Sequence, residues 1–316
     1  MKAFQGILPA LQLPYREDLS IDEAELRRFA RWLSEHHGIG GLVTNGHTGE
    51  VFALSPAERA EATRIVASEV GGRTPVISGI CAEGMTEAVD HALMAREAGA
   101  TGLLVMPPHY WLRFGMQPKH VLAHFSAIGE AAQISLIVHI YPAWTKASYS
   151  SELLSDLVQL PWVTTVKIGT REMSKYARDI AAIRKANAGC TILTCHDEYL
   201  LASMVQGVDG ALVGFASFIP EWIVGLYQAV CDGDLKKAMS IQRLIDELKE
   251  VVYASGEPSG DAHARMKTAM MFAGRFRSNL TRPPIEPPSG AVLERIRNAV
   301  ERSGVTPAPN LASVAV

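Results

Sequence analysis

Short apolar runs alternate with longer amphipathic stretches along most of this chain. Runs rich in apolar and β-branched residues predict eight strands, at Gly6–Leu13, Gly40–Thr44, Pro75–Ile80, Gly102–Met106, Ile134–Tyr141, Val163–Lys167, Thr191–Thr194 and Gly210–Val213. The later runs are continuously apolar rather than alternating, which is typical of parallel strands buried on both faces.

The stretches between the predicted strands have a helical period. After Ser20 and Asp22, which are typical of a helix start, one apolar face is formed by Leu26, Phe29, Ala30 and Leu33. Another helix is predicted to begin after Ser55, with Pro56 at its first position and Glu58 three residues after the serine. Eight strand–helix units in succession favour a (β/α)8 TIM barrel over an open doubly wound sheet.

Beyond the eighth strand the pattern becomes purely helical. One apolar stripe consists of Ile241, Leu244, Ile245, Leu248, Val251 and Val252. Further helices are predicted near Ala262–Ala273 and Gly290–Arg302. We therefore expect a barrel over residues 1–232, a C-terminal extension of about three helices over 233–304, and a disordered tail over 305–316.

Composition narrows the class of protein. The 316 residues are 48% hydrophobic and 20% charged, with a net charge of −3, which provides no general attraction to nucleic acid or acidic membranes. No apolar run approaches the roughly 18 residues that span a bilayer, and residues 1–6 do not resemble a secretory signal. We expect a cytoplasmic protein that binds neither nucleic acid nor membranes.

The cysteines and histidines do not form a recognisable metal site. The four cysteines include no Cys-x-x-Cys pair, so we expect buried, reduced thiols. His36 and His37 are neighbours and cannot face one another on a helix, and Cys195-His196-Asp197-Glu198 lacks a partner at helical spacing. No metal is expected.

Lys167 is the strongest candidate for chemistry. It ends the apolar run Val163–Val166 on the sixth predicted strand, and barrel enzymes place their chemistry at the carboxyl ends of the strands. A lone lysine at a strand end usually extends into solvent. If the amine is instead buried, its pKa falls, and the free amine can attack a carbonyl and form an imine.

Gly46-His47-Thr48-Gly49-Glu50 follows the second predicted strand. Gly46 and Gly49 allow a tight loop whose backbone N–H groups, together with Thr48 and His47, could bind a small carboxylate. The same composition also occurs in ordinary turns. The missing Gly-Lys-[Ser/Thr] ending excludes a phosphate loop.

Two further segments could complete a site. His139 and Tyr141 are two residues apart, so on a strand both point to one side, and either could transfer a proton near Lys167 or simply be satisfied in the core. Val213 and Gly214 end the eighth strand with small residues, which would leave room for a substrate or serve tight packing.

Together these segments resemble the dihydrodipicolinate synthase / N-acetylneuraminate lyase family of class I aldolases, from about Gly6 to Pro284. The motifs that carry the resemblance are Gly46-His47-Thr48-Gly49-Glu50, Met106-Pro107-Pro108-His109-Tyr110, Thr165-Val166-Lys167, Asp197, Gly210–Ser217 and Arg282-Pro283-Pro284.

The resemblance implies a TIM barrel with three extra C-terminal helices, usually a homotetramer built as a dimer of dimers, without an external cofactor. By this resemblance Lys167 forms the imine with a 2-oxo acid such as pyruvate. Thr48 and the nearby loop amides hold its carboxylate. Tyr110 resembles the tyrosine that family members insert into the site of a neighbouring subunit.

Two departures from the family pattern affect the substrate. The family often has Thr-Thr where this chain has His47-Thr48, and Tyr-Asn-x-Pro where it has His139-Ile140-Tyr141-Pro142. We expect a proton relay rebuilt around His47 with His139 or Tyr141, and favour Tyr141 as the acid/base. Trp144 replaces an arginine that binds a second carboxylate, so we expect an apolar or aromatic aldehyde, or a neutral sugar-acid chain, rather than aspartate semialdehyde.

The expected activity is reversible C–C cleavage or condensation between a pyruvate-type 2-oxo acid and an aldehyde. The same imine can expel a β-hydroxyl group, so a 2-keto-3-deoxy sugar-acid dehydratase is an alternative. Two further candidates are a barrel that binds a 2-oxo acid without turnover and a metal-dependent aldolase. Trapping with borohydride and sensitivity to EDTA would separate them.

Overall fold

A computed structural model describes residues 1–142, 145–253 and 260–305. Within these residues eight strands follow one another along the chain. They are β1 (Gly6–Pro9), β2 (Leu42–Thr44), β3 (Val76–Ile80), β4 (Gly102–Val105), β5 (Ser135–Ile140), β6 (Val163–Ile168), β7 (Thr191–Thr194) and β8 (Gly210–Val213).

All strand pairs are parallel, and each strand pairs with its neighbour in sequence from β2 to β8, while β8 pairs with β1. Single bridges from Ile7 to Ile39 and from Ala10 to Val43 join β1 to the β2 side of the sheet. The sheet is therefore a nearly closed barrel, and the predicted (β/α)8 class is confirmed.

Helices cover the outside of the barrel and follow it in the chain. They are α1 (Glu23–Ser34), α2 (Pro56–Val70), α3 (Met85–Glu97), α4 (Tyr110–Phe114), α5 (Pro118–Ala132), α6 (Ser151–Leu157), α7 (Met173–Ala186), α8 (Leu200–Met204), α9 (Phe215–Phe218), α10 (Pro220–Cys231), α11 (Leu235–Val252), α12 (Gly260–Phe272) and α13 (Gly290–Ser303). Two short 3-10 turns, His47–Gly49 and Val51–Ala53, follow β2.

The helix starts show why these segments are helical. Asp22 caps α1 by accepting a hydrogen bond from the Glu25 backbone N–H at 3.0 Å, which satisfies one of the N–H groups left free at a helix start. At α2, Ser55 and Glu58 form the reciprocal capping box expected from their spacing.

The first predicted strand is too long. Regular pairing ends at Pro9, four residues before Leu13, because the chain then turns from β8 toward β2. The Ala10 N–H still donates to the Val213 carbonyl on β8 at 3.0 Å, whereas the Leu11 N–H donates to the Val43 carbonyl on β2 at 2.9 Å. The predicted thiol environment is also partly wrong. Cys81 and Cys190 are buried, whereas Cys195 is half-buried and Cys231 is exposed, and all four are free.

The three helices after α10 form the C-terminal part of the described chain. In α11, three residues of the predicted apolar stripe, Ile245, Leu248 and Val252, are fully buried, whereas a fourth, Leu244, is 41% exposed. α11 contacts α10 and α13, while α12 contacts α9 and α13. The tail predicted to be disordered lies outside the described residues, apart from Val305.

A buried ion pair joins α12 to the loop after β2. The Lys267 ammonium is fully buried and donates to the Glu50 carboxylate and, at 2.9 Å, to the Leu280 carbonyl. The other carboxylate oxygen of Glu50 accepts from the Arg282 backbone N–H at 3.0 Å. Glu50, the last residue of the glycine-rich motif, therefore fixes the motif to the C-terminal helices.

None of the helices in the described parts of the chain is both long and apolar enough to cross a membrane.

Substitution Glu50→Gln should lower the free energy of unfolding by about 3–5 kcal/mol, because it leaves the buried Lys267 ammonium without a compensating charge. Urea or thermal unfolding measures the change. The double variant Glu50→Gln/Lys267→Met should recover part of the loss. Glu61→Gln, which breaks an exposed pair with Arg64, should cost at most about 1 kcal/mol and is the matched control. Equal effects of both single changes would contradict the role of the buried pair.

Candidate active site

The register of β5 and β6 brings Lys167 into the barrel. Ile137 and Leu193 belong to the cluster of side chains inside the barrel. His139 lies two residues after Ile137 and so faces the same way. Lys167 pairs with His139 on one side and with Leu193 on the other. The amine therefore lies inside the barrel at the carboxyl ends of the strands.

A pocket of about 290 Å³ opens around this lysine. We call it the inner pocket. Its polar lining consists of His47, Thr48, His139, Tyr141, Lys167, Arg171, Cys195, Asp197, Tyr253 and His263, and the rest includes Ala10, Leu212, Val213 and Gly214. The structure thus brings most of the residues predicted for the site into one cavity.

Burial lowers the pKa of Lys167, because the charged ammonium loses its hydration inside the barrel. The Cys195 thiol and the Asp197 carboxyl oppose this shift, while the positive charge of Arg171 adds to it. The lowered pKa makes the neutral amine, which is the form that can attack a carbonyl carbon, easier to reach.

The histidines of the inner pocket are held neutral. Burial, reinforced by the charge of Lys167, lowers the pKa of His47 to about 3 and that of His139 well below its ordinary value. The same two causes lower the pKa of His263 to about 4. Near neutral pH these imidazoles therefore carry a free lone pair. The Nδ1 atom of His139 is buried without a hydrogen-bond partner among the described residues.

Tyr141 follows β5 directly and lies between two histidines. Its hydroxyl is 3.2 Å from Nε2 of His47 and 3.4 Å from Nε2 of His109. Burial raises the pKa of Tyr141, and the nearby Cys81 and Glu83 add to the effect. The phenol is therefore a neutral donor whose proton can be directed to either imidazole.

The predicted anion loop is a 3-10 turn. His47 and Thr48 line the inner pocket, whereas Gly46, which precedes the turn, and Gly49, its last residue, do not. A side chain at Gly49 would place its Cβ 2.8 Å from the Leu11 carbonyl oxygen, so glycine is required there by the close approach of the backbone. At Gly46 an added Cβ would meet nothing within 4 Å.

Two carboxylates organise the loops around the pocket. Asp197 accepts hydrogen bonds from the Tyr253 hydroxyl at 2.7 Å and from the backbone N–H groups of Gly214 and Phe215. Burial raises the pKa of Asp197 to about 6 in spite of these bonds. Glu198 accepts from Nε of Arg171 at 2.6 Å, so the arginine that lines the pocket is already paired with a carboxylate.

A second, larger cavity of about 560 Å³ adjoins the inner pocket and shares His47, Tyr141 and His263 with it. We call it the outer pocket. Its apolar walls are Phe52, Ala53, Leu112, Gly260, Ala264, Pro283, Pro284 and Ile285, and its other polar residues are Glu50, His109, Thr281 and Arg282.

The charges of the outer pocket are compensated within the protein. Glu50 pairs with Lys267, and Arg282 pairs with Glu58. The Arg282 guanidinium also donates to the carbonyl groups of Leu19 and Ala53, both at 2.8 Å. Within the described residues, the charged groups lining this cavity therefore already have partners of opposite charge.

The remaining two predicted site residues are Tyr110 and Trp144. Tyr110 is 46% exposed and lines neither pocket of its own subunit. Its insertion into a neighbouring site stays a prediction. Trp144 lies outside the described residues, so the position that carries the expected change in specificity is not seen.

The sequence prediction missed several residues of the site. His263 lies on α12, far along the chain from the barrel strands, and no local pattern marks it. His109 belongs to one of the sequence motifs, but its approach to Tyr141 was not predicted. Arg171 and Cys195 follow the sixth and seventh strands, where position alone could have indicated them.

No group of three or more histidine, cysteine, aspartate or glutamate side chains is placed to hold a metal ion in the part of the chain that the structure describes.

The fold and the site are those of a parallel (β/α)8 barrel with a desolvated lysine near the carboxyl end of β6. The model of the Dihydrodipicolinate synthetase family matches residues 3–303. The chain therefore belongs to this family, as its motifs predicted, and the family makes it a lyase or aldolase.

Relatives carry different activities in their names. The 4-hydroxy-tetrahydrodipicolinate synthase of Acidiphilium cryptum is 32% identical over 304 residues, which cover 96% of this chain and 99% of that protein. A probable 2-dehydro-3-deoxy-D-pentonate aldolase of Escherichia coli is 26% identical over 308 residues, covering 97% and 100%. Both relatives align over nearly their whole length.

Solved structures show the same fold. A prophage protein of the dihydrodipicolinic acid synthase family from Escherichia coli K12, solved in complex with pyruvate, superposes with a TM-score of 0.86 at 22% identity. The match covers 96% of this chain and 100% of that one. At this identity the likeness supports the fold alone.

The lowered pKa of Lys167 predicts a pH profile. The rate of imine formation with pyruvate should rise with pH as the ammonium loses its proton, and should level off below the ordinary lysine pKa of about 10.4. Initial rates of borohydride trapping between pH 6 and 11 measure it. The free amine of Nα-acetyl-lysine in the same buffers is the control, and a profile that coincides with the control would contradict a desolvated amine.

Proposed function

We propose that this protein is a Schiff-base lyase or aldolase that binds pyruvate, or a 2-oxo acid derived from it, through Lys167. The observation that carries the proposal is the position of that amine. It lies inside the barrel, in a small polar pocket, with a lowered pKa and with neutral proton-transfer groups around it. The family, and the similarity to a probable pentonate aldolase, support the same reaction class.

In the cleavage direction, the proposed reaction begins when the Lys167 amine attacks the C2 carbonyl of the 2-oxo acid substrate. Water is lost and an imine forms. Thr48, Val213 and Gly214 line the pocket; we propose that Thr48 holds the substrate carboxylate and that Val213 and Gly214 leave room above the lysine. When protonated, the imine draws electrons from the C3–C4 bond as the C4 hydroxyl loses its proton. The bond breaks, an aldehyde leaves, and the enamine then takes up a proton at C3.

The C4 hydroxyl proton requires an acceptor in the inner pocket. Tyr141 and His139 both line it, and we propose them as the catalytic acid/base groups, with His47 bonded to the Tyr141 hydroxyl. A neutral imidazole can accept a proton directly. The neutral phenol can do so only while passing its own proton onward.

Incubation with pyruvate and borohydride should add one reduced pyruvyl group to Lys167, because reduction makes the imine permanent. Mass spectrometry of the intact protein and of its peptides detects the adduct. Lys167→Ala should remove it completely, whereas Lys119→Ala, which changes an exposed lysine, should leave it unchanged. A wild-type protein without an adduct, or an adduct on another residue, would exclude this function.

We propose that the aldehyde part of the substrate occupies the outer pocket and is apolar and uncharged. The pocket adjoins the lysine cavity through His47, Tyr141 and His263, its walls are largely apolar, and its charges are already paired. A carboxylate placed there would lose its hydration without gaining a free cation from the described residues.

With pyruvate as donor, benzaldehyde should therefore condense at least about fivefold faster than aspartate semialdehyde, since an unmatched buried polar group costs about 1 kcal/mol or more. Product formation by chromatography measures both rates. Phe52→Ala should reduce the preference, and Leu235→Ala, an exposed apolar residue on α11, is the control. Efficient use of aspartate semialdehyde, with the pyruvate adduct intact, would overturn this choice of aldehyde alone.

A further inference from the structure

One face of α12 is directed toward the two pockets. Gly260 and Ala264 line the outer pocket, and His263 lines both cavities. Lys267 lies four residues after His263 on the same side of the helix, and its ammonium pairs with Glu50. Because a glycine and an alanine flank it on this face, His263 supplies the polar group that α12 presents to the cavities.

Contacts on three sides fix this part of α12. The side-chain amide of Gln12 is fully buried and donates to the His263 carbonyl at 2.9 Å. The Met266 methyl group lies against Gly214 at the end of β8, where an added Cβ would be 3.0 Å from it. Together with the buried ion pair of Lys267, these contacts fix the His263 backbone relative to the end of the barrel.

The imidazole of His263 is neutral and available to a bound molecule. Burial lowers its pKa to about 4, and the positive charges of Lys167 and Lys267 add to the effect. Within the described parts of the chain, the ring nitrogens form no hydrogen bond. By contrast, Nε2 of His47 and the Tyr141 hydroxyl lie 3.2 Å apart and bond to each other. The neutral His263 ring therefore has an N–H group to donate to a ligand.

The border between the two pockets is where the C3–C4 bond of the proposed substrate lies. In the proposed complex, the imine with Lys167 holds C2 in the inner pocket, and the aldehyde part extends into the outer pocket. C4 and its oxygen then lie beside the side chains that are common to both cavities, which are His47, Tyr141 and His263.

We propose that His263 donates a hydrogen bond to the C4 oxygen and stabilises the negative charge that this oxygen acquires as the C3–C4 bond breaks or forms. The inference rests on the proposed function and adds to it a group that acts on the aldehyde half of the reaction. His263 keeps its proton throughout, and the C4 hydroxyl proton passes to the acid/base groups of the inner pocket. A fixed donor in a desolvated site stabilises such a charge more strongly than a donor in water does.

The test compares a reaction that needs the C4 oxygen with reactions that need only the imine. His263→Phe keeps a flat aromatic ring but has no N–H donor. With pyruvate as donor, this variant should condense both acetaldehyde and benzaldehyde about a hundredfold more slowly than the wild type, the lower end of the loss when one such donor is removed. Chromatography of the products measures the rates. The loss should lie in kcat, while KM for pyruvate stays unchanged.

The steps that precede the aldehyde show whether the variant is intact. His263→Phe should form the borohydride adduct to the wild-type extent. It should also exchange the C3 protons of pyruvate with D2O at the wild-type rate, followed by proton NMR, because neither reaction involves a C4 oxygen. His263→Gln, which restores an N–H donor, should recover part of the condensation rate. His37→Phe changes an exposed histidine that precedes β2 and is the matched control.

Three results would overturn the role of His263 but not the proposed function. The first is condensation by His263→Phe at the wild-type rate. The second is a loss confined to benzaldehyde, which would indicate crowding of the outer pocket. The third is an equal loss of condensation and of C3 exchange, which would indicate a disturbed imine pocket. A wild-type protein that forms no borohydride adduct on Lys167 would overturn both the inference and the proposed function.

Discussion

The structure of this site depends on removing one amine from water. Lys167 ends an otherwise apolar strand, and the parallel register sets it beside His139 on β5 and Leu193 on β7, inside the barrel. An ammonium in that position loses hydration, so its pKa falls and the free amine becomes easier to reach. The barrel supplies the rigid wall that makes this possible, because every neighbouring strand is held by parallel pairing on both sides.

The C-terminal helices belong to the site as much as the barrel does. α12 contributes His263 to both pockets, and its Lys267 forms an ion pair with Glu50, the residue that follows the glycine-rich turn. That buried pair neutralises a charge next to the outer pocket while holding the turn that carries Thr48. A motif that resembles a ligand-binding loop thus also has a structural task, and its glutamate belongs to that task.

Local sequence patterns predicted the strands and helices, but not which side chains from distant parts of the chain come into contact. Strands that are buried on both faces have continuous apolar sequences, so all eight could be predicted. Lys167 was singled out because it ends such an apolar run. The approach of His109 to Tyr141 could not be seen, because the loops after β4 and β5 meet only in the closed barrel. His263 could not be predicted for the same reason. The sequence pattern of a helix indicates which face is buried, but it does not indicate which cavity that face lines. The end of regular pairing at Pro9 could not be predicted either, because it depends on which neighbouring strand the chain approaches after β1.

The cationic groups of the inner pocket constrain one another in a way that suits the proposed reaction. Lys167 lowers the pKa values of His47, His139 and His263, because a second positive charge in the same desolvated cavity is costly. A protonated imine on Lys167 would exert the same effect. The imidazoles would then be neutral while the imine is charged, and each could hold the C4 hydroxyl proton only as electrons from the C3–C4 bond neutralise that charge. Where the family often has hydroxyl side chains at positions 47 and 139, this chain thus has bases whose protonation is tied to the charge of the imine itself.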